Sequence, residues 1–298
     1  MKKTLMILGS VVCVAIAVLL IVFLGGKDAE NDSGLVFRLN GSQDGYVVVG
    51  VSDDATTDIV IPKTYDGLPV VEIGNQAFID CKAITSVTIP DSVTAIGNRA
   101  FYGCEGLVSM VLPDSVKTIG NVAFSKCSSL QSIVLSDCVT AIGNDTFREC
   151  TALESIVFPE KLTSIGKNVF YRCKSLTAIT LPNTLKTIDE WAFADCDALQ
   201  TIEIPEGVSG ISSRLFYHCA ALESVVMPKE IREIAPDAFA DCSKMTTVYY
   251  GGSVEDMSKI TMGEQNALTA TWYFYSESAP ATEGNFWHDV DGKPTIWQ

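Results

Sequence analysis

Short alternating segments recur along the chain. In "SVTIP" (86–90), Val87 and Ile89 alternate with Ser86 and Thr88, the period of a strand with one inward face. Pro90 follows and ends the strand, because it has no N–H to continue a ladder. Val93 and Ile96 mark a second extended stretch, and Gly97 lets the chain turn. "NRAFYGC" (98–104) sets Ala100, Phe101 and Cys104 behind a polar first residue, which predicts about one turn of helix.

This order of elements returns at a fixed period, the mark of a repeat architecture. Phe recurs at 78, 101, 124, 147, 170, 193, 216 and 239, each step being 23 residues. Cys keeps the same step from Cys81 to Cys242, and Ile from Ile73 to Ile234. Pro follows a large apolar residue at 90, 113, 159, 182, 205 and 228, with Ser136 the one substitute. One unit reads L-x-x-[VIM]-x-[ILFM]-P-x-x-[VL]-x-x-I-G-x-x-A-F-x-x-C-x-x. It is too small to bury its own apolar edge, and copies stacked on it supply the cover. With parallel strands about 4.8 Å apart, eight frames extend roughly 40 Å.

The L-x-x-[VI]-x-[IL]-P and I-G-x-x-A-F-x-x-C phrases resemble the leucine-rich repeats of the BspA-like, or Treponema-type, bacterial surface proteins. The resemblance covers about residues 60–250. "IVIPKTYDGLPVVEIGNQAF" (59–78) looks like that family's opening repeat, with "YDG" inserted, and "VYYGGSVEDMSKITMGEQNALTATWYFYSES" (248–278) like its closing segment. The resemblance implies a leucine-rich repeat solenoid of about eight units, with a parallel β-sheet on one face, short helical turns on the other and caps at both ends. It also implies export and a binding role, since some members are described as adhesins.

The expected organisation is a signal anchor or signal peptide over 1–27, an N-terminal β cap over 28–60, the solenoid over 61–250, a C-terminal cap over 251–279 and a tail over 280–298. In the first cap, "LVFRLN" and "YVVVGV" read as strands across a Ser42–Gly45 turn. Phe286, Trp287 and Trp297 of the tail are expected to pack on the second cap. Residues 5–24 carry no charge and, as a helix, would span about one hydrocarbon core. Lys2 and Lys3 precede that run and Asp28, Glu30 and Asp32 follow it, which places the rest of the chain outside the cytoplasm. An uncleaved anchor and cleavage near Gly26 remain the two forms of that segment.

Charge narrows the partners. Downstream of Lys27 the chain holds 18 basic against 36 acidic groups, a surface that repels phosphate backbones and anionic headgroups. No nucleic acid is expected, and membrane contact only through the N-terminal segment. Eight periodic cysteines in an exported chain invite disulfides, but equivalent residues of adjacent coils point in parallel about 4.8 Å apart, the wrong vectors for a bridge. A ladder of buried free thiols is expected instead, with Cys138 outside the frame. Zinc needs clustered ligands such as C-x-x-C, and the chain has none. His218 and His288 belong to no nucleophile–base or metal motif, and "HDVDGK" (288–293) reads as an Asp-Gly turn. No catalytic, cofactor or metal residue is assigned, and no enzyme activity is expected.

If Val87 and Ile89 face inward, two exposed stripes result. One holds small hydroxyls such as Ser109, Ser132 and Ser155. The other holds Thr88, Val111, Val134, Val157, Thr180, Glu203, Val226 and Tyr249. β-branched residues favour strands for their own sake, but a contiguous exposed apolar strip on a solenoid also makes a docking surface. The expected function is non-enzymatic binding of a macromolecule through that sheet face: a host matrix protein, a cell surface or an envelope polymer, protein or polysaccharide. The alternative is a structural, self-associating envelope protein without an external ligand.

Overall fold

The computed structural model describes residues 34–52, 57–266, 270–281 and 283–297. The segment expected to be a signal anchor or signal peptide lies outside them. Among the described residues, no helix is long and apolar enough to cross a membrane.

Each coil has three sides: a sheet strand, a two-residue strand and a run of turns. The inward residues of the sheet strands are buried, as Val87, Met110 and Ile133 show. Neighbouring strands pair in parallel one repeat apart, Ser109, Ser132 and Ser155 lying side by side. On the second side, Ala95–Ile96 pairs with Thr118–Ile119, and the pattern continues to Glu233–Ile234 and Thr261–Met262.

The third side differs from the expected helical turn. Within 97–104, Ala100, Tyr102 and Cys104 donate to carbonyls three residues back in their own coil, while Arg99, Phe101 and Gly103 donate to Asn121, Ala123 and Ser125 of the next. A helix directs its amides along its own axis and leaves none for a neighbour. Alternating donors turn this side into a third hydrogen-bonded face of the stack. The alternation goes with left-handed backbone four residues apart in this side, at Arg99 (φ 56°) and Gly103 (φ 71°).

Between these sides runs one continuous core. The rings of Phe78 to Phe239 form seven successive stacked pairs, with centroids 5.0–5.7 Å apart, within the offset-stacking range. The nine described cysteines are free. The in-frame Cys104, Cys127, Cys150, Cys173, Cys196 and Cys219 are buried, and each donates its S–H to the Phe carbonyl of the preceding coil, as Cys104 does to Phe78 at 3.1 Å, whereas Cys138 is exposed. Burial pushes these thiols up and raises Cys242 to about 12.

Both ends are covered. Leu35–Leu39 and Tyr46–Val51 form an antiparallel hairpin that joins Leu68–Ile73. The inserted "YDG" makes a tight hairpin whose Asp66 and Gly67 both have positive φ, the primed turn that such strands favour. At the other end, 251–275 leaves the 23-residue frame yet still lays two strands on the stack, Thr261–Met262 and Thr271–Tyr275. A four-residue helix, Val254–Met257, is capped by Ser253 and Asp256 in a reciprocal box. Phe286–Val290 and Lys293–Ile296 close the sheet. Trp287 is buried there and donates to the Tyr250 carbonyl, and Asp289 accepts the Gly292 amide in the Asp-Gly turn.

Candidate functional site

Alternation within each sheet strand sends one pair of side chains outward. The hydroxyl lane starts at Asp58, whose Oδ1 accepts from Ser86 (2.6 Å) and Thr85 (3.0 Å). Those two bonds hold its carboxyl below the usual range. The second lane does not form one strip. Val111, Val134 and Val157 stand in register on a three-stranded sheet, with Val157 46% exposed. Glu203, Val226 and Tyr249 stand in register on another, which continues to Tyr273. Thr180 is exposed between them and lies in no paired strand. Thr88 pairs with Val60 at the start of the stack.

The far end of the lane is aromatic. Tyr249 packs at 5.9 Å from Tyr273 and 5.7 Å from Trp287, and Tyr275 lies 5.1 Å from Trp287. Burial, then the neighbouring Tyr273, raises the Tyr249 phenol. The three-valine patch therefore lies away from this wall, on an open face of small hydroxyls and methyl groups.

The turn side carries a group that the sequence reading did not single out. Trp191 has φ 61°, rare for a bulky residue. It packs between Tyr171 and Tyr217 and under the Arg214 guanidinium. Ala194, equivalent to both tyrosines, leaves the gap that the indole fills. The shared column of Tyr102, Tyr171 and Tyr217 is the signal that pointed to it. Nearby, ligand atoms of Asp195, Asp197 and His218 lie within 4.8 Å of one another. Asp195 meets Arg172 at 3.3 Å and His218 at 2.9 Å, and Asp197 meets Lys174 at 3.4 Å. The two carboxylates already have cationic partners, so this group belongs to an ion-pair lattice. The aromatic faces here are likewise covered by the chain's own arginines, whereas the valine patch presents an exposed Val157 beside half-buried Val111 and Val134.

Stacked parallel coils with one open strand face define a leucine-rich repeat solenoid. The chain belongs to the family described as BspA type leucine rich repeat region, whose model matches residues 71–179 and 163–271 in six copies. It is similar to the leucine-rich repeat protein of T. pallidum, at 30% identity and TM-score 0.55, over 74% of this chain and 91% of that one. A leucine-rich repeat protein from Bacteroides ovatus shares the fold at 24% identity and TM-score 0.52, over 83% of this chain and 79% of that one. No curated protein matches the chain.

Proposed function

We infer that this is a non-enzymatic, exported binding module that holds a macromolecular partner against its sheet face. One observation carries the reading: Val111, Val134 and Val157 stand in register on the outward side of one sheet, Val157 exposed and the other two half-buried. A surface already ordered in the free protein binds with little further loss of conformational freedom. Export rests on the uncharged run at 5–24 behind Lys2 and Lys3. The partner class is a matrix protein, a cell surface or an envelope polymer.

The test is capture from matrix proteins and cell-wall polymers, repeated with Val134→Lys and Val157→Lys. Both variants are expected to abolish capture without lowering the melting temperature, because both side chains lie on the outward side of the sheet, away from the core. Unchanged capture would reject the sheet face as the contact. Self-association without capture would point instead to a structural envelope role.

A further inference from the structure

A column of like charges runs beside the valine patch. In four successive coils the residue after the strand-ending position is Asp91, Asp114, Asp137 and Glu160, each exposed in the turn that closes its sheet strand. Lys63 pairs with Asp91 at 2.9 Å. Among the described residues, no ion pair reaches Asp114, Asp137 or Glu160, although Lys117 and Lys161 are near in the chain.

On the turn side, five cations are paired by simple register. Lys82–Glu105, Lys167–Glu190, Arg172–Asp195, Lys174–Asp197 and Arg214–Asp237 are all ion pairs between residues one repeat apart. The same register at the sheet rim puts carboxylate beside carboxylate, an arrangement that disfavours the folded state. These carboxylates without an ion pair sit over the same three coils as the in-register valines.

The repeat distance selects the occupant. The patch advances about 9.6 Å over its three coils, at about 4.8 Å per step. Two turns of α-helix advance about 10.8 Å, whereas two alternate-residue steps of an extended chain advance about 13 Å. The helix keeps closer step with the lane.

Building on the sheet-face reading, we propose that the partner presents a basic amphipathic helix along this lane. Its apolar stripe meets Val111, Val134 and Val157, and its flanking Lys or Arg side chains meet Asp114, Asp137 and Glu160.

Fluorescence anisotropy of the purified full chain in nonionic detergent tests this with two labelled helical peptides. They share one leucine stripe and differ only in carrying lysine or glutamate on its flanks. The lysine peptide is expected to bind at least tenfold more tightly than the glutamate peptide, with an affinity that falls as salt rises. The combined variant Asp114→Asn, Asp137→Asn and Glu160→Gln should lose at least tenfold for the lysine peptide. A charge-matched control on the turn side, Glu105→Gln, Glu190→Gln and Asp197→Asn, should stay within twofold of the unaltered chain. Equal binding of the two peptides, no binding of the lysine peptide, or equal losses in the two variants would overturn the proposal. The sheet-face reading fails separately: it falls if Val134→Lys leaves capture intact, and it stands if that substitution abolishes capture while the rim variant does not.

Discussion

At the scale of single residues, the 23-residue register couples side chains that are far apart in sequence. Asn75, Asn98, Asn121 and Asn144 each accept, through Oδ1, the amide one repeat onward, at 2.7–2.9 Å. The residue before each of those amides is Gly97, Gly120, Gly143 or Gly166. A Cβ at Gly143 would lie 2.5 Å from the Asn121 Oδ1, and one at Gly120 would lie 2.5 Å from the Asn98 backbone nitrogen. Where the ladder stops, at Lys167, the next coil carries Asp189 in the glycine's place. Gly120→Ala is therefore expected to destabilise by about 1–3 kcal/mol through overpacking, and Asp189→Ala to stay within about 0.5 kcal/mol, both read by denaturant melts. The thiols give a second residue-scale prediction. Native alkylation should label Cys138, whereas Cys104, Cys127, Cys150, Cys173, Cys196 and Cys219 should react only after unfolding. Burial raises their folded pKa above the unfolded value of about 8.5. Their contribution to stability is whole below about pH 8.5 and is lost as pH rises toward the folded values. Melting temperature in reductant should fall between about pH 8.5 and 10, and a flat profile there would contradict buried thiols.

At the scale of elements, the sheet strands, the two-residue strands, the Ser42–Gly45 turn and the Asp291-Gly292 turn were legible in the sequence. Each rests on a local signal: period-two alternation at Val87 and Ile89, Gly after Ile96, and Asp44-Gly45 or Asp291-Gly292 at tight turns. The turn side was not. Apolar spacing at Ala100, Phe101 and Cys104 fits a helical turn equally well, and the decision comes from amides that bond to the next coil, which no local window contains. Trp191 was missed for the same reason, since its surroundings come from three different coils. The interruption at Thr180 has no sequence mark that we can identify. The outward stripe was legible as a column from Thr88 to Tyr249, but its division into separate sheets, and the acidic rim beside Val111, Val134 and Val157, were recognised only in the folded arrangement. Far-UV circular dichroism should accordingly show strand and turn character without the helical double minimum. A pronounced helical spectrum would contradict the alternating-turn side.

At the scale of the whole molecule, the coils share one core, so removing a ring in the middle affects both halves of the stack. Phe147 is fully buried between Phe124 and Phe170, and Phe147→Ala should destabilise by about 3–5 kcal/mol. A mild effect in thermal or denaturant melts would count against a continuous Phe column. The same stacking holds Val111, Val134 and Val157 in register, the arrangement on which the proposed recognition rests. The turn side, by contrast, spends its charges and aromatic faces on the chain itself. Photocrosslinking separates these two sides most directly. A photoreactive residue placed at Val134 should trap the captured partner covalently, and the same residue at Tyr217 should not. Trapping from Tyr217 and none from Val134 would contradict the sheet face as the working surface.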